Sequence, residues 1–100
     1  MMPTFETLPL FEAGWRTLTR EQQGTFRKVV LEAFTLDLMT PERSFRPELS
    51  VGPVSGHPGM LQMSWSAEGR AAFSYGAERM PGEPHVIWWQ ITASANNLRW

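Results

Sequence analysis

An arginine among small polar residues is the feature of this chain best suited to hold a phosphate. Leu61, Met63 and Trp65 alternate with Gln62, Ser64 and Ser66. Ala71, Phe73 and Tyr75 alternate with Arg70, Ala72 and Ser74. Both runs have the period of half-buried strands. Between them, Ala67-Glu68-Gly69 fits a three-residue hairpin loop, a type I turn followed by a left-handed glycine. That loop pairs Ser66 with Arg70. Leu61, Met63, Trp65, Ala71, Phe73 and Tyr75 then share one face, which must be the core. The opposite face carries Arg70 among Gln62, Ser64, Ser66, Ala72 and Ser74. A guanidinium stays charged and binds phosphate through two parallel donors, and small neighbours let a ligand's backbone come close.

The other chemically capable groups are more scattered. His57 lies in the turn Ser55-Gly56-His57-Pro58-Gly59, where its two readings are a proton shuttle and a solvated turn residue. His85 opens a strand. Arg43 and Arg46 lie in the loop Thr40–Leu49, where they could touch RNA or only solvent. Trp88 and Trp89 alternate to opposite faces. One ring joins the core and the other is left to stack on a base or pack under a partner; Trp88 is assigned the RNA-facing role. Arg99, in the C-terminal tail, is a further candidate RNA contact.

The elements that position these groups divide near Pro41. Before it, apolar spacing is helical. A first helix starts near Pro9 and carries Leu10, Phe11, Trp15 and Leu18, with Gly14 weakening it. A second helix over Thr19–Met39 opens with Thr19 and Gln22 in capping-box spacing, and Phe26, Val29, Val30, Ala33 and Asp37 share a face beside Phe34. After Pro41 the spacing alternates and Gly and Pro are frequent. A first strand near Leu49–Val54 leads to the two runs above, and His85–Ile91 reads as a central strand. The expected fold is α+β: an N-terminal helical hairpin packed on a four-stranded, mainly antiparallel sheet.

Composition narrows the chemistry. One hundred residues with 42% hydrophobic content, five Trp and six Phe are expected to fold as one domain over residues 1–100. Zero cysteine excludes a thiolate nucleophile, a thiolate metal site and a disulfide scaffold, and suits a reducing cytoplasm. No metal-ligand spacing is visible, so neither a metal nor another cofactor is expected. The first residues lack the pattern of a signal peptide, and the longest apolar run, Val86-Ile87-Trp88-Trp89, is far short of a membrane span. Nine Lys+Arg against ten Asp+Glu give a net charge of −1. Any nucleic-acid binding must therefore come from a local cluster of arginines.

Several ordered segments resemble one branch of the RelE/ParE toxin superfamily. They are Phe11…Trp15…Leu18, Phe26…Phe34, Phe45-Arg46-Pro47-Glu48-Leu49, Gly56-His57-Pro58-Gly59, Gly69-Arg70-Ala71-Ala72-Phe73-Ser74-Tyr75-Gly76 and Pro81-Gly82-Glu83-Pro84-His85-Val86-Ile87-Trp88. The resemblance runs from about Phe5 to Ile91. It implies a cytoplasmic toxin that cuts mRNA on the ribosome and is neutralised by a small acidic antitoxin that folds on binding. In such enzymes the RNA's own 2′-hydroxyl attacks the phosphate, without a metal, while the protein supplies cations and proton carriers. Arg70 matches the family's phosphate-facing arginine. Gln62 matches a position that is often a catalytic glutamate, and an amide cannot act as general base. Ile91-Thr92-Ala93-Ser94-Ala95 stands where the branch usually has Ile-Gly-Thr-His-Asp. Ser94 thus fills the slot of a functional His or Arg, which implies a weakened nuclease. The alternatives are a ParE-like binding toxin acting on DNA gyrase and a noncatalytic interaction domain.

Overall fold

Trp88 organises the interior. Its indole lies between 5.2 and 6.5 Å, centroid to centroid, from the rings of Phe5, Phe11, Phe26, Phe34 and Phe73. The computed structural model describes residues 2–94 and 98. In chain order the elements are β1 (Thr4–Thr7), α1 (Pro9–Thr17), α2 (Arg20–Val29), a π-helical turn (Val30–Phe34), α3 (Thr35–Leu38), β2 (Gly52–Pro53), β3 (Leu61–Ser64), β4 (Arg70–Gly76) and β5 (His85–Thr92). The fold is α+β. Among the described residues no helix is long and apolar enough to cross a membrane.

The sheet has five strands, not four, in the order β1-β5-β4-β3-β2. The expected antiparallel β3, β4 and β5 are present, and β1 is added parallel to β5, with Thr4 opposite His85 and Thr7 opposite Trp88. Four residues reading Thr-Phe-Glu-Thr are too short to announce a strand by themselves; β5 supplies the ladder that makes them one. The first expected strand shrinks to Gly52–Pro53 because Pro47–Leu49 forms a 3₁₀ turn that buries Leu49.

Local rules account for the helices. Pro9 stands at the first turn of α1. Thr19 caps α2, its hydroxyl accepting from the Gln22 N–H while the Gln22 amide oxygen accepts from the Thr19 N–H. A single helix over Thr19–Met39 was expected, with one continuous stripe. The π-helical turn at Val30–Phe34 inserts one residue into that stripe. Its effect is to rotate Phe34 and Leu38 fully into the core while Val30 and Ala33 stay at its margin.

The hairpin register slides by two residues from expectation: Ser64, not Ser66, lies opposite Arg70. A shift of two preserves the faces, so Met63, Trp65, Ala71 and Phe73 are buried together. Leu61 is only half-buried and Tyr75, near the end of β4, is 36% exposed, because the core does not reach the strand ends. Gly69 does not take the expected left-handed conformation. Glycine is needed there because the Trp65 indole lies directly where a Cβ would project.

Gly14 also has a packing reason. A Cβ at 14 would overlap the backbone oxygen of Ile91, so α1 sits against β5 only because position 14 has no side chain. Gly24, in α2, has open space around it. The same substitution should therefore have opposite signs at the two sites. Gly24→Ala is expected to stabilise by up to about 1 kcal/mol, the helix-propensity difference. Gly14→Ala should destabilise by about 1–2 kcal/mol, because the backbone it meets cannot rotate away. Urea unfolding of both variants checks this.

Candidate functional site

Three strands place the polar face. Ser64, Arg70 and Thr92 lie side by side across β3, β4 and β5, and Gln62, Ala72 and Gln90 form the next row. Adjacent strands are about 5 Å apart, so each row is a compact group. Arg70 points away from Ala71 and Phe73, as the alternation required. Its Nη1 donates to the carbonyls of Gly69 (2.8 Å), Ser66 (3.3 Å) and Ala67 (3.4 Å). The guanidinium is therefore anchored over the tip of its own hairpin. All three bonds use one nitrogen; Nε and Nη2 make none among the described residues.

Ser94 is brought to the same end of the sheet. Its N–H donates to the Thr92 hydroxyl at 3.1 Å, and that hydroxyl donates to the Ser94 carbonyl at 3.0 Å. Since Thr92 is opposite Arg70, the turn through Ser94 begins beside the arginine's row. Gln62 is one row away. His57 is not part of this group. Its turn precedes Leu61, which pairs with Phe73, so it lies about 10 Å or more along the sheet from Arg70.

The face is not open throughout. Ala72 and Gln90 are buried, at 0% and 7% exposure. The register shift between Ala72 and Phe73 places Trp89 and Gln90 on the same side of β5, and the Trp89 indole N–H reaches the Ser74 hydroxyl at 2.7 Å. This reverses the assignment of the two tryptophans. Trp88, assigned to RNA, is 3% exposed and belongs to the core; Trp89 is the outward ring, at 37%.

The loop arginines have partners of their own. Arg46 grips Asp37 at the end of α3: its Nε lies 2.7 Å from Oδ2, its Nη2 2.9 Å from Oδ1, and its backbone N–H also donates to Oδ2. This clip fixes the loop after the helices, and Arg46 is not a loose cation awaiting RNA. Arg43, in a left-handed backbone conformation, sits 4.8 Å over the Tyr75 ring. Burial pushes the Tyr75 hydroxyl up, and Arg43 opposes that shift. Arg99 lies outside the described residues.

Hydrogen bonds from Arg46 hold the Asp37 carboxyl below its usual range, against the opposing effect of burial. A carboxyl depressed in the folded state contributes stability above its unfolded pKa and loses it as pH falls through the folded one. The clip should contribute fully above about pH 4, the ordinary aspartate range, and lose that contribution as pH falls further through the lower folded value. The urea midpoint of the unmodified protein should therefore drop more steeply into acid than that of Asp37→Asn, which should be weaker at neutral pH and flatter below. Parallel acid slopes for the two would refute this account of the clip.

One cluster has no local signature in the sequence. Thr4 Oγ1 lies 2.7 Å from His85 Nδ1, His85 Nε2 lies 2.7 Å from Glu6 Oε1, and Arg79 Nη2 lies 2.9 Å from the same Glu6 oxygen. The hydrogen bond with His85, helped by Arg79, holds the Glu6 carboxyl low. His85 is 3% exposed. The cluster stitches β1 to β5 at the end of the sheet far from Arg70, about 20 Å along β5. Its members are about 80 residues apart in sequence and meet only through the parallel pairing, so spacing gave no signal.

Comparison with protein-family models, with curated proteins and with solved structures returned no match.

Proposed function

We propose that this chain is the toxin of a two-gene toxin–antitoxin pair, of RelE/ParE-like architecture, acting on mRNA at the ribosome. The supporting observation is the anchored Arg70. It stands on the polar sheet face beside Ser64 and Thr92, next to the turn through Ser94, and among the described residues two of its three nitrogens keep their donors for a phosphate. In the proposed reaction the RNA's 2′-hydroxyl attacks the adjacent phosphorus, the 5′-oxygen leaves, and a cyclic phosphate and a free 5′-hydroxyl result. Arg70 stabilises charge growing on the nonbridging oxygens. The proposed partner in the cell is a small acidic antitoxin that folds on binding and covers Trp89 and the sheet margin beside it.

Induced expression with mapping of mRNA 5′ ends tests the reading. Growth arrest with new 5′ ends inside translated messages is expected, relieved by co-expression of an adjacent small gene. A second reading has an observation in its favour. Among the described residues Arg70's neighbours on its face are Gln62, Ser64, Ala72, Gln90 and Thr92, and none of these is a carboxylate or an imidazole that could move a proton. A binding toxin directed at DNA gyrase requires none. Growth arrest without mRNA cleavage, accompanied by gyrase-dependent DNA breaks, would select it.

A further inference from the structure

The two edges of the sheet are treated differently. At one edge β2 is two residues long and contains Pro53, which has no N–H to offer. Such an edge does not invite another strand. At the other edge β1 has no proline within it and no lysine. The N–H groups of Thr4 and Leu8 turn inward to the carbonyls of Pro84 and Trp88. By alternation, the N–H and C=O of Phe5 and Thr7 turn outward.

Beside this edge, unpaired among the described residues, lies an apolar groove of about 460 Å³, bounded by β1, α1 and α2. Phe5, Phe11, Trp15, Phe26, Leu31 and Trp88 line it. Phe5 is 39% exposed and Leu31 64% exposed, so the apolar surface continues past the groove's mouth. The polar side chains on it carry both signs. Arg27 lies 5.0 Å over the Trp15 ring, and Glu12 accepts from the Thr7 hydroxyl at 2.8 Å.

We propose that this edge and groove are a self-association surface, occupied by a second copy of this chain. Two β1 strands pair antiparallel about a two-fold axis and join the two sheets, and the exposed Phe5 and Leu31 of each copy pack against the groove of the other. An antiparallel pair of identical strands is closed by a two-fold, which makes the surface its own complement. A groove of one sign would call for a partner of the opposite sign; this one carries Arg27 and Glu12 together and so matches itself. A net charge of −1 leaves little long-range repulsion between copies, and the Glu6 carboxylates that the two-fold brings opposite each other are each held by His85 and Arg79 of their own chain.

Sedimentation of the purified full chain across a concentration series is expected to show a monomer–dimer equilibrium. Leu31→Lys adds a charge at a largely exposed helical position, and Thr7→Pro removes an outward-facing N–H. Each should weaken the dimer by about tenfold or more. Circular dichroism should stay native for both, and Leu31→Lys keeps the test valid if proline at 7 disturbs β1. In the unmodified protein, hydrogen exchange at Phe5 and Thr7 should slow as concentration rises. A monomer at every concentration overturns the proposal. So does a dimer that survives both variants with Phe5 and Thr7 exchanging freely, or a monomer that instead captures an extended peptide of another protein along β1. Oligomeric state is read without RNA or growth inhibition, so neither result bears on Arg70.

Discussion

Trp88→Ala is expected to be the most damaging single substitution to the fold, lowering stability by about 3–5 kcal/mol. The indole touches rings from β1, α1, α2, the π-helical turn and β4. Its removal therefore leaves a cavity walled by every layer of the molecule. Those walls cannot collapse together, because Phe11 and Phe26 are held by the helices while Phe73 is held by the sheet. For a domain of about this length the loss corresponds to a fall in melting temperature of about 15–30 °C, a large share of total stability. Trp88→Phe keeps most of the apolar contact and should cost markedly less. Thermal and urea unfolding of both variants measure this. A drop of under 1 kcal/mol for Trp88→Ala would show that the ring cluster is not the centre of the core.

Under the proposed nuclease reading, Arg70→Ala is expected to cut mRNA cleavage by about 100-fold or more, the scale of losing one charged donor at a developing oxyanion. A merely structural role must be separated from this, since Arg70 Nη1 also ties down the hairpin carbonyls. Ser66→Ala makes the separation. It removes the hydroxyl that accepts from the Gly69 N–H in the same hairpin and leaves the cation in place. Cleavage should persist in Ser66→Ala and fail in Arg70→Ala, with urea midpoints showing how far each loosens the fold. Arg70→Lys should recover only part of the activity, because an ammonium cannot bridge two phosphate oxygens as a guanidinium does. Ser94→His should raise cleavage, since imidazole donates a proton near neutral pH. Equal activity of Arg70→Ala and the unmodified protein would remove Arg70 from the mechanism.

Much of the local architecture was legible in the sequence. The Pro9 start of α1, the Thr19–Gln22 capping box and the alternation in β3 and β4 depend on neighbours within a few residues, and the structure has each where its residues require it. Arg70's face followed from alternation alone. It survived a register error because a slip of two residues leaves parity unchanged. Alternation also said that Trp88 and Trp89 oppose each other, but it could not say which faces inward. That choice belongs to the aromatic side chains of α1 and α2, which lie on one side of β5 only.

Other features had no local signature. The parallel pairing of β1 joins residues about 80 positions apart, and the Thr4–His85–Glu6 cluster exists only because of it. The need for glycine at 14 came from the Ile91 carbonyl across the interface, although helix propensity by itself counts that glycine as a defect. The π-helical turn obeys the demand of Phe34 and Leu38 for the core, against the regular 3.6-residue period. What the sequence determined by itself was the set of interactions spanning one turn or one strand. Partners, inward faces and open edges were decided by the tertiary structure, because burial is settled only when distant segments compete for the same side of the sheet.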